Sequence, residues 1–190
     1  MAFNVGTFKT KMTGDGARPN LFKVMLFGAS GYFSADADQE FFIRATSIPG
    51  TTIGTVIVPY FGREVKFAGN RTFPDWTVTV INDETFKVRS SLEEWMDNIN
   101  QHRLNSRKPA SVTGYYGTAL VSQLGKSGSS TTDLRMYQFN QIFPTDMSEI
   151  TLDWGDNDSV EEFTVTFSYD YWEAFVGTAT GSGGVSVGTG

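Results

Sequence analysis

Two segments of the chain alternate apolar and polar residues strictly, and this alternation constrains the fold more than any other feature. In residues 75–81 (DWTVTVI), Trp76, Val78 and Val80 are separated by threonines. In residues 160–172 (VEEFTVTFSYDYW), aromatic residues and valine alternate with threonine, serine and aspartate. Successive side chains of a β-strand point to opposite faces, so a period of two indicates strands with one buried and one solvated face. Such strands are typical of antiparallel sheets.

Other short segments predict the remainder of the sheet. They are rich in β-branched and aromatic residues, and glycine, proline or asparagine bounds them. These segments are residues 21–27, 41–46, 63–68, 117–123 and 134–142.

One segment, residues 84–102, has the period of a helix, with an N-cap expected at position 82 or 83. Its apolar residues recur at helical spacing and form one stripe: Val88, Leu92, Trp95 and Ile99. A single stripe of this kind indicates a helix that covers a sheet. Together, these patterns predict a mainly β fold, an antiparallel β-barrel or sandwich with one packed α-helix.

The length of the chain, 190 residues, suits one domain. We predict that residues 1–175 form this domain, with residues 1–16 as an N-terminal arm. Residues 176–190 contain six glycines and no charged residue, so we expect a flexible tail there. No stretch approaches the roughly 20 apolar residues of a membrane helix, and the N-terminus lacks the apolar core of a signal peptide. We therefore expect a soluble protein without membrane insertion, made in the cytosol.

Residues 47–62 (SIPGTTIGTVIVPYFG) fit neither a strand nor a helix pattern. Their apolar run lies between glycine and proline breakers, and Pro59 argues against a central strand. A connection this apolar either folds over its own barrel or packs against another copy of the chain, and we favour the second interpretation. The residues predicted at this subunit interface are Ile48, Pro49, Ile53, Val56, Ile57, Val58, Tyr60 and Phe61.

Charge is distributed unevenly along the chain. All 15 lysines and arginines lie in residues 1–135, whereas residues 136–190 contain nine acidic residues and no basic one. The acidic part is interpreted either as a solvated face or as a surface that binds a basic partner or repels nucleic acid. A protein that binds DNA without sequence preference would instead cluster basic residues on one face. The net charge of −6 argues against that class.

The sequence offers few groups for catalysis or metal binding. With no cysteine and a single histidine, His102, it lacks the residues for a disulfide or a thiolate zinc site, and nothing supports a catalytic triad. Residues 125–127 (GKS) imitate the end of a phosphate-binding loop, but Leu120 stands where that motif needs glycine. The carboxylates of residues 153–162 (DWGDNDSVEE) have the spacing of a turn rather than a calcium loop. We predict no enzyme activity, no catalytic residue, no metal site and no cofactor.

Five blocks of sequence, in order along residues 17–173, resemble the tail tube proteins of contractile-tailed bacteriophages of the T-even type. They are ARPNLFKV (residues 17–24), ATSIPG (45–50), GNRTFPDWTVTVINDE (69–84), FPTDMSEITLDW (143–154) and EEFTVTFSYDYWE (161–173). The resemblance is poor in residues 1–16, 28–39 and 105–132 and after residue 173. It implies a tail-tube-like fold, related to the tube proteins of type VI secretion systems and contractile bacteriocins.

The resemblance also implies a function, that of a structural virion protein in the phage tail tube. Copies would join into rings of five or six, hexameric in our prediction, and the rings would stack into a hollow tube inside the contractile sheath. The tube would be assembled in the host bacterial cytoplasm and would serve as the conduit for DNA ejection. We expect a polar or acidic lumen, a helix outside the lumen, and residues 47–62 in contact with a neighbouring subunit.

The partners that the resemblance implies are other copies of the chain, the tail sheath protein, the tape-measure protein, and the baseplate and tail terminator proteins. Viral DNA would pass through without specific binding. Two alternatives stay open at this point. One is a tube subunit of a phage-derived contractile injection machine, and the other is a carboxylate-based hydrolase or a carbohydrate-binding β-sandwich.

Overall fold

The structure, a computed structural model, describes residues 4–12, 16–28, 42–108, 112–126, 133–155 and 157–176. Within these ranges the strands are β1 (Phe22–Phe27), β2 (Ile43–Thr46), β3 (Thr52–Tyr60), β4 (Arg63–Thr72), β5 (Trp76–Ile81), β6 (Gly117–Leu124), β7 (Asp133–Met147), β8 (Glu162–Ser168) and β9 (Tyr171–Phe175). The helices are α1 (Val5–Lys11), α2 (Lys87–Ile99) and the 3₁₀ helix Val112–Tyr115.

The main sheet confirms the predicted antiparallel, mainly β architecture. Its strands follow the order β1-β6-β7-β8-β5-β2, and β9 pairs with the first part of β7. Strand β7 belongs to both halves of the sheet, because residues 133–142 pair with β6 and residues 143–147 pair with β8. Gln141 lies at this transition with a φ of 56°, a left-handed conformation that is uncommon outside glycine. The strand therefore bends where it passes from one half of the sheet to the other.

The core is built from the alternating residues that the sequence singled out. Trp76 of β5 lies opposite Phe167 of β8, both side chains are buried, and the Trp76 ring stacks on Phe139 of β7 at a centroid distance of 4.4 Å. Burying one large apolar side chain contributes roughly 1.5–3 kcal/mol to stability, so this cluster holds the two halves of the sheet together. The predicted strand 160–172 is interrupted, since β8 ends at Ser168 and β9 follows.

Helix α2 packs against this core, as predicted. Its stripe buries Val88, Leu92 and Trp95. The Trp95 indole N–H donates a hydrogen bond of 2.8 Å to the carbonyl of Tyr115. Gly117, at the start of β6, faces the Trp95 ring so closely that a Cβ atom there would lie 2.8 Å from Trp95 Cη2. The packing at this point has no room for a side chain.

Helix α2 is shorter than the predicted segment 84–102. It begins at Lys87, because Phe86 adopts a left-handed conformation with a φ of 52° that a right-handed helix cannot include. The carboxylate of Asp83, one of the two predicted cap positions, accepts a hydrogen bond of 3.1 Å from the Lys87 N–H. Asp83 therefore satisfies a free donor of the first turn from outside the helix.

The prediction that residues 47–62 form neither helix nor strand is wrong. Residues Thr52–Tyr60 form β3, which pairs with β4 in an antiparallel hairpin outside the main sheet. Pro59 is compatible with this strand because each strand of an isolated hairpin has a free edge, where proline is tolerated. Strand β4 extends the predicted segment 63–68 to Thr72.

The division into an arm, a domain and a tail stays a prediction. Residues 177–190 of the predicted tail and residues 1–3 and 13–15 of the predicted arm lie outside the described residues. Residue 41 of a predicted strand and Ser127 of the GKS tripeptide lie outside them as well. None of the helices in the described ranges is long and apolar enough to cross a membrane.

Candidate assembly interface

The β3–β4 hairpin is inserted in the chain between β2 and β5, yet among the described residues its strands pair only with each other. Every residue of β3 is exposed, and so is every residue of β4 except one that is half-buried. A two-stranded hairpin without further packing is marginally stable in water. We therefore expect the hairpin to be stabilised when another protein packs against it.

The register of the hairpin places five apolar residues on one face, together with Arg63, which lies opposite Tyr60. Val56 lies opposite Phe67, Val58 lies opposite Val65, and Tyr60 follows on the same side of β3. These five residues are called the apolar hairpin face. The exposed fractions of Val56, Val58 and Phe67 are 52%, 43% and 56%. Monomeric proteins rarely expose a contiguous apolar patch of this kind, so it indicates a protein interface.

The opposite face of the hairpin is mixed in character. Ile57 lies opposite Lys66, and Pro59 lies opposite Glu64. The sequence prediction included β3 residues of both faces but missed Val65 and Phe67 on β4. The sequence of β4 does alternate apolar and charged residues, which is a signal for a strand with one apolar face. Only the register with β4 shows which β3 residues lie on the same face as Val65 and Phe67.

The remaining residues of the predicted interface lie in three different environments. Ile53 is exposed and lies at a register shift between β3 and β4. Ile48 is also exposed and borders a cavity of about 280 Å³ together with Phe22 and Tyr137. Pro49 is buried within the subunit, so its side chain is not available to a partner.

The tip of the hairpin is a two-residue turn of Phe61 and Gly62, whose φ values are 47° and 78°. Two consecutive positive φ values are what a type I′ hairpin turn requires, and glycine and asparagine are the usual residues there. Phe61 is 91% exposed, and its ring lies perpendicular to the Tyr60 ring at a centroid distance of 4.7 Å. A bulky residue in a strained conformation with no core contact points to a functional role.

A second exposed surface is the described part of the loop between β7 and β8, residues 148–155 and 157–161, called the Trp154 loop. Trp154 is 100% exposed, and Leu152 and Val160 of the same loop are exposed as well. The Asp153 carboxylate accepts a hydrogen bond of 2.9 Å from the N–H of Gly155, which confirms the predicted turn. The loop is acidic and carries no basic residue. It combines large apolar side chains with negative charge, as a docking site for a basic partner would.

A third exposed surface is α1, a helix that the sequence analysis did not predict. It is capped by Asn4, whose side chain accepts a hydrogen bond from the Gly6 N–H, and it has no buried residue. Val5 and Phe8 are 69% and 62% exposed and lie on one side of the helix, with Met12 following. The helix has only seven residues, too few for a reliable periodic signal.

The groove that gathers the most titratable side chains offers no general acid for the hydrolase alternative. A groove beside α2 gathers the carboxylates of Glu93, Glu94 and Asp97 near His102. The Lys108 ammonium donates a hydrogen bond of 2.8 Å to Asp97, and together with the backbone N–H of His102 it lowers the pKa of Asp97 below its usual value. A general acid needs the opposite shift. No cluster of three or more potential metal ligands occurs among the described residues.

Comparison with known proteins matches this chain to a family and to relatives of known type. A protein-family model described as phage tail tube protein matches residues 17–174. Tail tube protein gp19 of Enterobacteria phage T4 is 33% identical over 163 residues, which cover 85% of this chain and 93% of that protein. The tail tube protein of Serratia phage KSP90 is 27% identical over 169 residues, which cover 87% of this chain and 93% of the relative.

Solved structures with the same fold come from contractile particles. A chain of the anti-feeding prophage tube-terminating cap is similar with a TM-score of 0.62 at 16% identity, covering 85% of this chain and 92% of that one. A chain of the six-fold symmetrised baseplate of the same prophage is similar with a TM-score of 0.62 at 11% identity, covering 85% and 96%. A chain of the extended sheath–tube complex of an extracellular contractile injection system has a TM-score of 0.55 at 14% identity, covering 92% and 99%.

Proposed function

The chain belongs to the phage tail tube protein family, and we propose from this premise that its copies join into hexameric rings through the β3–β4 hairpin and that these rings stack into a tube. As a tail tube protein of a contractile-tailed phage, it is a structural, non-enzymatic component of the virion. The hydrolase and carbohydrate-binding alternatives are therefore set aside. The proposed tube is the conduit through which viral DNA leaves the particle.

The observation that carries the ring proposal is the apolar hairpin face. It adds nothing to the core of its own subunit, and its side chains are about half exposed. Covering the exposed half of five such side chains contributes on the order of 1 kcal/mol each. A ring repeats this contact at every junction, so the gain accumulates around the closed ring. The interface residues predicted on β3, namely Ile53, Val56, Ile57, Val58 and Tyr60, belong to this proposal together with Val65 and Phe67 of β4.

Six copies in a ring are supported by the fold, because a chain with the same fold occurs in a six-fold symmetrised particle. Rotational averaging of end-on views of short rods measures the number directly. We expect six-fold symmetry, and a five-fold ring would contradict the proposal.

The proposed partners follow from the exposed surfaces and from the relatives. Tail tube proteins of contractile systems assemble with a sheath and a terminator, as in the extracellular injection system whose tube shares this fold. For this chain we propose the sheath protein on the outside of the tube, with the tape-measure, baseplate and tail terminator proteins as further partners. The acidic Trp154 loop is suited to a basic surface of such a partner.

A tube subunit of a phage-derived injection machine is the second candidate function. The anti-feeding prophage and the extracellular injection system share the fold, whereas the relatives in sequence are phage tail tubes. Particle contents separate the two candidates, because only a virion carries a genome. Sequencing nuclease-protected DNA from purified native particles distinguishes them.

The function is tested by electron microscopy of the concentrated, purified chain in negative stain. We expect hollow rods of uniform width whose number rises steeply with protein concentration, because each added ring buries two new surfaces. A folded protein that stays monomeric at all concentrations would contradict the proposed assembly.

Replacing Phe61 with asparagine is expected to separate stability from assembly. Asparagine tolerates the left-handed conformation, so the free energy of unfolding should stay the same or rise by about 0.5 kcal/mol. The concentration needed for rods should increase, because the exposed ring is lost. Thermal unfolding and sedimentation of rods measure the two effects. Phe61→Tyr is the matched control that keeps an aromatic ring. Rods at the wild-type concentration in the asparagine variant would show that the tip is not an anchor.

Assembled tubes are expected not to retain duplex DNA. Each lysine or arginine that pairs with phosphate would slow a passing duplex with a strength that falls steeply with salt. The measurement is cosedimentation of tubes with short duplexes at about 50 mM salt, where phosphate contacts are strongest. Tight binding that weakens as salt rises would instead place basic residues such as Arg63, Lys66 or Arg71 in the channel.

A further inference from the structure

The face of β5 and β8 that points away from the core carries a cluster of threonines. Thr77 lies opposite Thr166 and Thr79 lies opposite Thr164. The residues that alternate with them on both strands are buried, so these four side chains point to the other side of the sheet. Thr77 is exposed and the other three are half-buried. These four residues are called the threonine face.

One pair of hydroxyls on the threonine face is held by a mutual contact. The side-chain oxygens of Thr77 and Thr166 are 3.3 Å apart, within hydrogen-bonding distance. β-branched side chains are also restricted at χ1, so the face is stiff as well as polar. It therefore presents a smooth array of short side chains rather than long, mobile ones.

The threonine face itself is uncharged, and the groups at its borders do not make it basic. On one side Asp146 lies opposite Thr166. On the other side, Arg44 forms an ion pair with Glu162, so its guanidinium is already neutralised by a carboxylate. Four other acidic residues of the C-terminal part lie in the Trp154 loop instead: Glu149, Asp153, Asp158 and Glu161.

The threonine face lacks what a protein interface needs. Binding energy at interfaces comes mainly from a few large anchors, above all tryptophan, tyrosine and arginine, that fill pockets on the partner. In the part of the chain that the structure describes, groups of large exposed apolar side chains lie elsewhere, for example on the apolar hairpin face, the Trp154 loop and α1. A face of threonines gains little from contact with protein, and it keeps its hydroxyls satisfied by remaining in water.

We propose that the threonine face lines the bore of the tube. The inference rests on the proposed ring assembly, in which the sheath covers the outer wall and neighbouring subunits cover the hairpin, so that the bore is the surface left in water. Hydroxyls suit a channel for duplex DNA, because they interact with water and phosphate without releasing counterions. The expected polar or acidic lumen is thereby narrowed to a neutral wall lined by hydroxyl groups.

The absence of cysteine from the chain allows a direct test by labelling. Single-cysteine variants Thr79→Cys and Thr164→Cys probe the threonine face at two positions, so that one variant suffices if the other folds poorly. Glu94→Cys, on the exposed side of α2, is the matched control for the outer wall. Each variant is treated with a small maleimide and with the same maleimide coupled to a large globular protein that cannot enter the bore.

As free subunits, all three variants should react with both reagents. In sheath-free rods, Thr79→Cys and Thr164→Cys should react with the small reagent and lose at least about tenfold in rate with the large one, whereas Glu94→Cys should react with both. Equal reaction of the threonine-face cysteines with the large reagent would place the face on the outer wall. Protection from both reagents would place it in an interface. Either result overturns the inference while rods still form, whereas a wild-type chain without rods would overturn the ring assembly itself.

Discussion

A single charge on the apolar hairpin face, Val58→Asp, is expected to abolish rods and to leave the subunit folded. In the free subunit Val58 is 43% exposed and contributes nothing to the core, so the thermal unfolding temperature should change little. In the proposed ring the same position is covered, and burying an unpaired carboxylate costs several kcal/mol. A loss of about 3 kcal/mol per contact raises the concentration needed for assembly by roughly a hundredfold.

The matched control is Thr55→Asp, which places the same charge on the same strand but on the opposite face, across from Ala68. We expect this variant to form rods near the wild-type concentration. Circular dichroism of both variants shows that the subunits are folded, and sedimentation of rods measures assembly. The double variant Ile57→Asp, Phe61→Asp tests two predicted residues outside the apolar hairpin face, and loss of rods is expected there because the exposed Phe61 ring at the hairpin tip is removed. Normal rods from Val58→Asp would exclude the apolar hairpin face as a contact, and an unfolded subunit would assign the face to the monomer.

Replacing Gly117 with alanine is expected to destabilise the subunit by about 3 kcal/mol, the upper part of the range for overpacked cores. The added Cβ atom would collide with the carbonyl oxygen of Phe27 in β1 and with the Trp95 ring. The carbonyl belongs to a paired strand and Trp95 is held by its hydrogen bond to Tyr115, so neither group can move aside cheaply. For a chain of this size the midpoint of thermal unfolding should fall by roughly 10 °C.

Gly50→Ala is the control for this prediction. A Cβ atom at Gly50 would meet only Pro74 Cγ, at an ordinary contact distance of 3.9 Å. Thermal unfolding of both variants should be followed at concentrations below those that form rods, so that assembly does not contribute to stability. A Gly117→Ala subunit as stable as the wild type would mean that β1 and α2 can separate without loss of packing.

The main sheet was predictable because its signal is local. In β5 and β8, one face meets the core and the other meets water, so the period of two is written in the sequence itself. Helix α2 was predictable for the same reason. Its first residue was not, because phenylalanine rarely adopts the left-handed conformation that Phe86 has here. The bend of β7 at Gln141 was not predictable either, because it follows from the pairing of this strand with two different neighbours, β6 and β8.

The hairpin was harder to predict because neither of its faces is buried in the subunit. Because β3 has no buried face, its sequence is an unbroken apolar run with a proline. Nothing in this run indicates that Val56 and Val58 lie on one face and Ile57 on the other. The separation becomes visible only when β4 is placed beside it and Val65 and Phe67 pair with the first two. An interface between subunits is specified by partners outside the chain, so its pattern is weaker in the sequence than that of a core.

The exposed hairpin also affects the tendency of free subunits to aggregate before assembly. Free strand edges beside apolar side chains are templates for uncontrolled aggregation, and proteins protect such edges with prolines and charges. The hairpin carries Pro59 on one strand and Glu64 and Lys66 on the other, on the face opposite its apolar residues. We expect these residues to act as gatekeepers that limit disordered stacking of hairpins between newly made subunits. They leave the apolar hairpin face free, so growth from an ordered tube end is favoured.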